Sequence, residues 1–250
     1  MSSDGPAPTG QVATRFEIDD NDIAWLTLNR PEAANARNQQ MRDELGDVYR
    51  FLAGPTRVRV LVLAASGDRH FCAGMDLKEA GGPETSEQRR RRLERSRDID
   101  RLAELPLPTI AEINGVALGG GLEMALACDL RIVAEEASMG LPELTHGLVP
   151  GGGGTQRLPR LIGAARTLEL LYLARRITGA EAVAIGLATR CVPRARLREE
   201  TRSVALRIAE LPAAAVLRAK ELVRASAETP LSIGLGLELD ALLALMDGRA

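Results

Sequence analysis

Glu123 follows three consecutive glycines, Gly119 to Gly121, and its neighbours are Leu122, Met124, Ala125, Leu126, Ala127 and Cys128. A carboxylate in such company carries a heavy desolvation cost unless it meets water, a partner or a substrate. Three glycines in a row disfavour helix and let another chain or a ligand come close to the backbone. A helix starting just after them would turn free N–H groups and a positive dipole end toward a developing negative charge. A helix whose Glu123 faces solvent is the plainer alternative, and this stretch alone leaves both open. Glu143, in "SMGLPELTHGLVPGGGG", is a second carboxylate among proline, glycine and apolar residues, where an exposed loop glutamate is the simpler expectation. A third stretch, "HFCAGMDLKE", runs through Ala73 and Gly74 into Asp76 and Lys78 and by itself announces only a tight turn after a strand. The chemistry on offer is proton transfer by carboxyl groups beside backbone donors for an oxyanion.

Other chemistries lack their residues. Neither glycine cluster fits GxGxxG with a following acidic residue, and GxxxxGK[ST], HExxH and GxSxG do not occur. His70 and His146 are the only histidines, too few for a three-histidine metal set. His70 and Cys72 could form a base and thiol pair on one strand face, or simply pack a strand end. Cys72, Cys128 and Cys191 are odd in number, far apart and without CxxC spacing, which suits reduced, packed thiols.

Composition narrows the class further. With 45% hydrophobic and 26% charged residues the chain reads as an ordinary globular protein. Its 32 basic residues nearly balance 34 acidic ones, so no global field draws nucleic acid or an anionic membrane. Phe, Tyr and Trp number only three, two and one, which leaves the core to aliphatic residues and argues against stacking platforms for single-stranded nucleic acid. The first residues lack the basic and apolar regions of a secretory signal, and no apolar run reaches the roughly 18 residues that span a bilayer. A frayed tail over 1–11 and a cytoplasmic location are the expectation.

The elements that must position these groups alternate. "VATRFEI" and "IAWLTLN" around "DDND" predict a hairpin, Met41, Leu45, Val48 and Leu52 predict a helix, and "VRVLVLAAS" predicts a buried strand. "PTIAEINGVALG" and "LRIVAE" repeat the strand theme, each passing into glycine-rich or helical sequence, which implies an α/β core with right-handed crossovers. "EQRRRRLERSRDIDRL" predicts a basic amphipathic helix with Leu93, Ile99 and Leu102 inward. Beyond about Pro193 only helical spacing remains.

Taken together, "LTLNRPEAANA", "RHFCAGMDLKE", "NGVALGGGLEMALACDLRI" and "GLPELTHGLVPGGGGTQRLPR" closely resemble the enoyl-CoA hydratase/isomerase family, the crotonase superfamily, over roughly residues 12 to 235. The resemblance implies a spiral of repeated ββα units over 12–193 and a helical region over 194–250 that makes a homotrimer, often paired into a hexamer. It implies an acyl-CoA substrate, no metal and no cofactor beyond the CoA that the substrate carries. Carried over by position, the two oxyanion amides fall on the backbone N–H groups of Met75 and Gly120. Asp76, Leu77 and Lys78 continue the segment that contacts acyl-CoA, and Glu123 and Glu143 match the two acid–base glutamates of the hydratases. The activity implied is hydration of a 2-enoyl-CoA to 3-hydroxyacyl-CoA. Double-bond isomerisation and an RNA-binding or scaffolding use of the fold are the alternatives. Met75 stands where many relatives have alanine, which reshapes the acyl pocket. The chain also ends before the final helix that in relatives helps cover the CoA site, and some of Arg89 to Arg92 are candidates for the CoA phosphates.

Overall fold

The computed structural model describes residues 12–79, 85–95 and 97–248. The expected tail over 1–11 and the side chains of Leu77 and Arg92 lie outside what is described. The chain opens with an antiparallel hairpin of β1 (Thr14–Ile18) and β2 (Ile23–Leu28), as the turn-rich "DDND" predicts. Helix α1 (Gln39–Ala53) follows, its first turn capped by the Asn38 side chain, which accepts from the Met41 N–H at 2.9 Å. Met41, Leu45, Val48 and Leu52 are all buried, each such side chain stabilising the fold by about 1.5–3 kcal/mol.

Three successive turns then have the same plan. In the first, β3 (Val60–Ala65) and β4 (His70–Cys72) precede α2 (Ser86–Arg95) and α3 (Asp98–Ala103). In the second, β5 (Thr109–Ile113) and β6 (Val116–Leu118) precede α4 (Gly120–Ala127). In the third, β7 (Leu130–Ala134) and β8 (Ser138–Gly140) precede α5 (Gly154–Ile162) and α6 (Ala164–Tyr172). The first strand of each turn joins one sheet and the second joins another, each parallel to its equivalent in the next turn. The result is the expected ββα spiral. Strands β9 (Ile177–Thr178) and β10 (Arg190–Val192), with α7 (Gly179–Ala184) between them, complete a four-stranded sheet β4-β6-β8-β9 and a six-stranded sheet β1-β2-β3-β5-β7-β10. Every residue of β3 and β5 is buried, as a strand covered on both faces requires.

Helices α8 (Arg194–Ala209), α9 (Ala213–Ala225) and α10 (Leu231–Met246) end the chain. The first of them packs on the larger sheet through Leu197, Val204 and Ala205, with Arg198 stacked 4.2 Å over Trp25 and 3.0 Å from the buried Glu112. By contrast α9 and α10 bury no residue.

The basic stretch differs from the expectation in one respect. It is two helices, α2 and α3, and Leu93 is exposed while Ile99 and Leu102 are buried. The helical period does not run through the junction, so a residue in register before it falls out of register after it. Arg90 and Arg91 pair with Glu94 and Glu87 along α2 itself.

Candidate active site

The spiral brings the ends of its strands and the first turn of α4 to one place. β6 ends at Leu118 and α4 begins at Gly120, so Glu123 stands in the helix's first turn. All of α4 from Gly121 to Ala127 is buried, and Glu123 keeps only 4% of its surface. Arg131 fastens the far end of the helix by donating to the carbonyls of Ala125 and Cys128 at 3.3 and 2.7 Å. The solvent-facing alternative for Glu123 is therefore excluded.

What meets the Glu123 carboxylate is backbone. Its Oε1 accepts from the Gly152 and Gly154 N–H groups at 2.7 and 2.8 Å, while Oε2 has no hydrogen-bond partner among the described residues. A Cβ at Gly152 would stand 2.7 Å from that Oε2 and 2.6 Å from the Ile99 side chain, so only glycine allows this loop to come so near. The loop is held in turn by Arg157, which donates to the Gly152 carbonyl at 2.7 Å and to Asp100 at 2.9 Å. Burial works against the Asp100 charge, but Arg157 and Arg97 beside it hold its carboxyl below the usual range.

Glu143 begins a single 3-10 turn that runs to His146, directly after the buried Leu141 and the half-buried Pro142. Its Oε1 lies 3.0 Å from where a Cβ on Gly119 would be, and its Oε2 is buried with no hydrogen-bond partner among the described residues. Burial first, and the Glu123 charge after it, push the Glu143 carboxyl above the ordinary glutamate range, against the opposing pull of its own backbone N–H. The two carboxyls thus stand near enough for the Glu123 charge to act on Glu143, in unlike settings, since Glu123 is gripped by two loop N–H donors and Glu143 is not.

The "HFCAGMDLKE" turn supplies the opposite wall. Arg37 pairs with this loop in one parallel bridge, donating its N–H to the Gly74 carbonyl at 2.8 Å and accepting from the Asp76 N–H at 3.1 Å. This pattern turns the N–H of Met75, between them, to the other side. There a Cβ on Gly120 would stand 3.9 Å from the Met75 nitrogen. Neither the Met75 nor the Gly120 N–H has a partner among the described residues, so two adjacent donors are left free. Gly74 makes the approach possible: its φ is +96°, and a Cβ there would crowd the Leu118 carbonyl at 3.0 Å.

The remaining candidates divide. Asp76 bonds to Arg30 at 3.0 Å and to the Lys78 N–H at 3.2 Å, and the Arg30 bond holds its carboxyl below the usual range. It braces the loop. Leu77 and Lys78 lie in a short 3-10 turn, with Lys78 exposed, and the Met75 side chain is 42% exposed at the rim. Cys72 is fully buried, its thiol pushed up to about 11 by burial, and the strand register shifts between it and His70. The pair packs a strand end.

Sequence reasoning missed three contributors: the Gly152 and Gly154 N–H groups, the Arg157–Asp100 clamp and a buried pair of Arg37 with Asp98. "DID" at Asp98 to Asp100, two acids inside an arginine-rich run, was the one signal available. Among the described residues no group of three or more His, Cys, Asp or Glu side chains is placed to hold a metal ion, and no helix is long and apolar enough to cross a membrane.

A two-sheet ββα spiral with paired free amides beside two glutamates defines the crotonase class of fold. Residues 19–248 match the family model described as enoyl-CoA hydratase/isomerase. The chain is 41% identical to YngF of Bacillus subtilis, named for the enoyl-CoA hydratases/isomerases, over 90% of this chain and 87% of that one. The crystal structure of an enoyl-CoA hydratase from Bacillus anthracis superposes with a TM-score of 0.90 at 39% identity, covering 94% of this chain and 91% of that one. A Thermobifida fusca protein crystallised in complex with CoA superposes with a TM-score of 0.90 at 30% identity, covering 97% and 98%. The chain belongs to the enoyl-CoA hydratase/isomerase family and is an enzyme of that superfamily.

Proposed function

We propose that the protein is a 2-enoyl-CoA hydratase that adds water across the C2=C3 bond of the acyl thioester to give 3-hydroxyacyl-CoA. The observation that carries this reading is the pair of carboxyls in opposite hydrogen-bonding settings beside the two free N–H groups. The Met75 and Gly120 N–H groups take the thioester oxygen, and charge gathers there as the C2=C3 electrons move. Preorganised donors of this kind are worth about 3–4 kcal/mol each in the transition state. The first turn of α4 adds its dipole in the same sense.

Water attacks C3 and gives up a proton to Glu123, whose unpartnered Oε2 faces it while Oε1 is fixed by the glycine loop. Glu143, its carboxyl raised by burial, delivers a proton to C2 and completes the addition. Each carboxyl then differs by one proton from its starting state, and transfer of a proton from Glu123 to Glu143 resets the pair. The scheme uses no metal and no redox cofactor, since CoA enters with the substrate. The same reading assembles the chain as a homotrimer or hexamer through the helices after Pro193 and places it in the cytoplasm, with no nucleic acid or membrane as partner.

Glu123→Gln and Glu143→Gln should each lower hydration of a short 2-enoyl-CoA, followed by loss of its conjugated absorbance, by about 10² or more. The double variant should be little worse than either single, because the pair acts as a unit. A wild type that hydrates no chain length but moves the double bond of a 3-enoyl-CoA, with only Glu143 essential, would establish the isomerase instead.

A further inference from the structure

We infer that Arg37, gripped by Asp98, is a third and charged contributor to the oxyanion hole, an inference that rests on the thioester oxygen lying between Met75 and Gly120. Arg37 lies beside both residues that supply these donors. Its backbone brackets Met75 by bonding to the Gly74 carbonyl and the Asp76 N–H, and its Nη1 lies 2.8 Å from where a Cβ on Gly120 would stand. Asp98, 4% exposed on the first turn of α3, binds Nη2 with both oxygens at 2.5 and 2.6 Å. That grip fixes the guanidinium and leaves Nε buried without a hydrogen-bond partner among the described residues, while Nη1 is turned toward Gly120.

Packing gives no reason for such an arrangement. A buried ion pair contributes little to stability over apolar residues of the same volume, and an orphaned guanidinium N–H makes it worse. As a dipole the pair has a direction, however: its cation abuts the oxyanion amides and its anion sits behind, on α3. Charge developing on the thioester oxygen meets the positive end first, in a site where water screens poorly. Burial opposes the Arg37 charge, yet Asp98 holds its pKa above the usual arginine value. Cys72 and Tyr49 also face the guanidinium, and burial raises both, so Asp98 is the counter-charge.

The probe is acetoacetyl-CoA, whose enolate shares its charge between the thioester and C3 carbonyl oxygens and has its own ultraviolet band. Replacing both partners, Arg37→Met with Asp98→Leu, removes the dipole and keeps the space filled. The apparent pKa for forming the bound enolate should rise by about one unit, a tenfold loss of enolate stabilisation. Hydration kcat should fall about tenfold, with KM changed less than threefold. Asp98→Asn, which keeps the cation and removes its counter-charge, should move the enolate pKa the other way. Equal enolate pKa and kcat in a double variant that melts like wild type would reduce the pair to packing and overturn the inference, as would upward shifts in both variants. If the double variant does not fold, the sign of the Asp98→Asn shift decides. A wild type that binds acetoacetyl-CoA without favouring its enolate over the free ligand removes the oxyanion hole itself, and the inference with it.

Discussion

At the scale of single residues, the two glutamates were conspicuous in the sequence because carboxylates seldom sit among glycines and aliphatics without a reason. Their environments were not, since the N–H groups that hold Glu123 come from residues 152 and 154 and are backbone, which no side-chain pattern reports. Arg37 and Asp98 stayed hidden for a related reason: they are 61 positions apart, and although "DID" stands out inside its arginine-rich run, nothing local points from it to Arg37. The raised Glu143 carboxyl carries a consequence for stability as well as for catalysis. In the unfolded chain Glu143 ionises in the ordinary range, while in the fold it keeps its proton to higher pH. Folding stability associated with this group is therefore complete below the unfolded pKa and is lost as pH rises through the folded one. Glu143→Gln should accordingly melt at a higher temperature than wild type near neutrality, and the two should converge below the ordinary glutamate range. Thermal melts across pH test this, and a variant melting below wild type at neutrality would contradict it. Activity should fall on the alkaline side as the same group loses its proton.

At the scale of elements, hairpin, helix and strands were legible because each shows its own hydrophobic period. The junction between α2 and α3 was not, because a period says nothing about where a helix stops when no glycine or proline marks the end. That junction matters, for α3 supports the site on two sides: Asp98 holds Arg37 behind the amides, and Asp100 holds Arg157 above the glycine loop. Between them Ile99 packs against Gly152. Gly152→Ala should thus push on the unpartnered oxygen of the Glu123 carboxylate and on the end of the Ile99 side chain rather than on backbone. Stability should change by no more than about 1–3 kcal/mol, as for ordinary overpacking. The Glu123 carboxylate is displaced, however, and hydration kcat should drop at least about tenfold, since small misplacements of reacting groups are costly. Unchanged kcat in a folded Gly152→Ala protein would mean that Glu123 is not positioned by this loop. Gly121→Ala provides the contrast, because there a Cβ would meet the Cys72 backbone carbonyl at 2.1 Å and the damage falls on folding.

At the scale of the whole molecule, the three ββα turns build a core that needs nothing further, while the last two helices do not complete one. Leu231, Leu235, Leu239, Leu242 and Met246 on α10 are each 53% exposed or more, and no residue of α9 is buried. These five recur at spacings of three and four and form one stripe, while the exposed Ile233 and Leu237 stand on the other side of α10, so a single flat neighbour would not cover them all. A helix that is apolar on most of its circumference belongs inside something. Self-association through several copies of the same segment satisfies this with the chain's own sequence, and closed rotational symmetry lets each copy receive what it gives. The expected assembly is a trimer, or two trimers together, and light scattering at micromolar concentration reads it directly. Leu235→Glu with Leu239→Glu places two charges on the face to be covered and should release monomers, because desolvating an unpaired carboxylate costs several kcal/mol at each site. If those monomers keep their sheet structure, the spiral folds alone and the helices serve assembly. A wild type of monomer mass, with or without the substitutions, would show that α10 is covered by something other than a second copy.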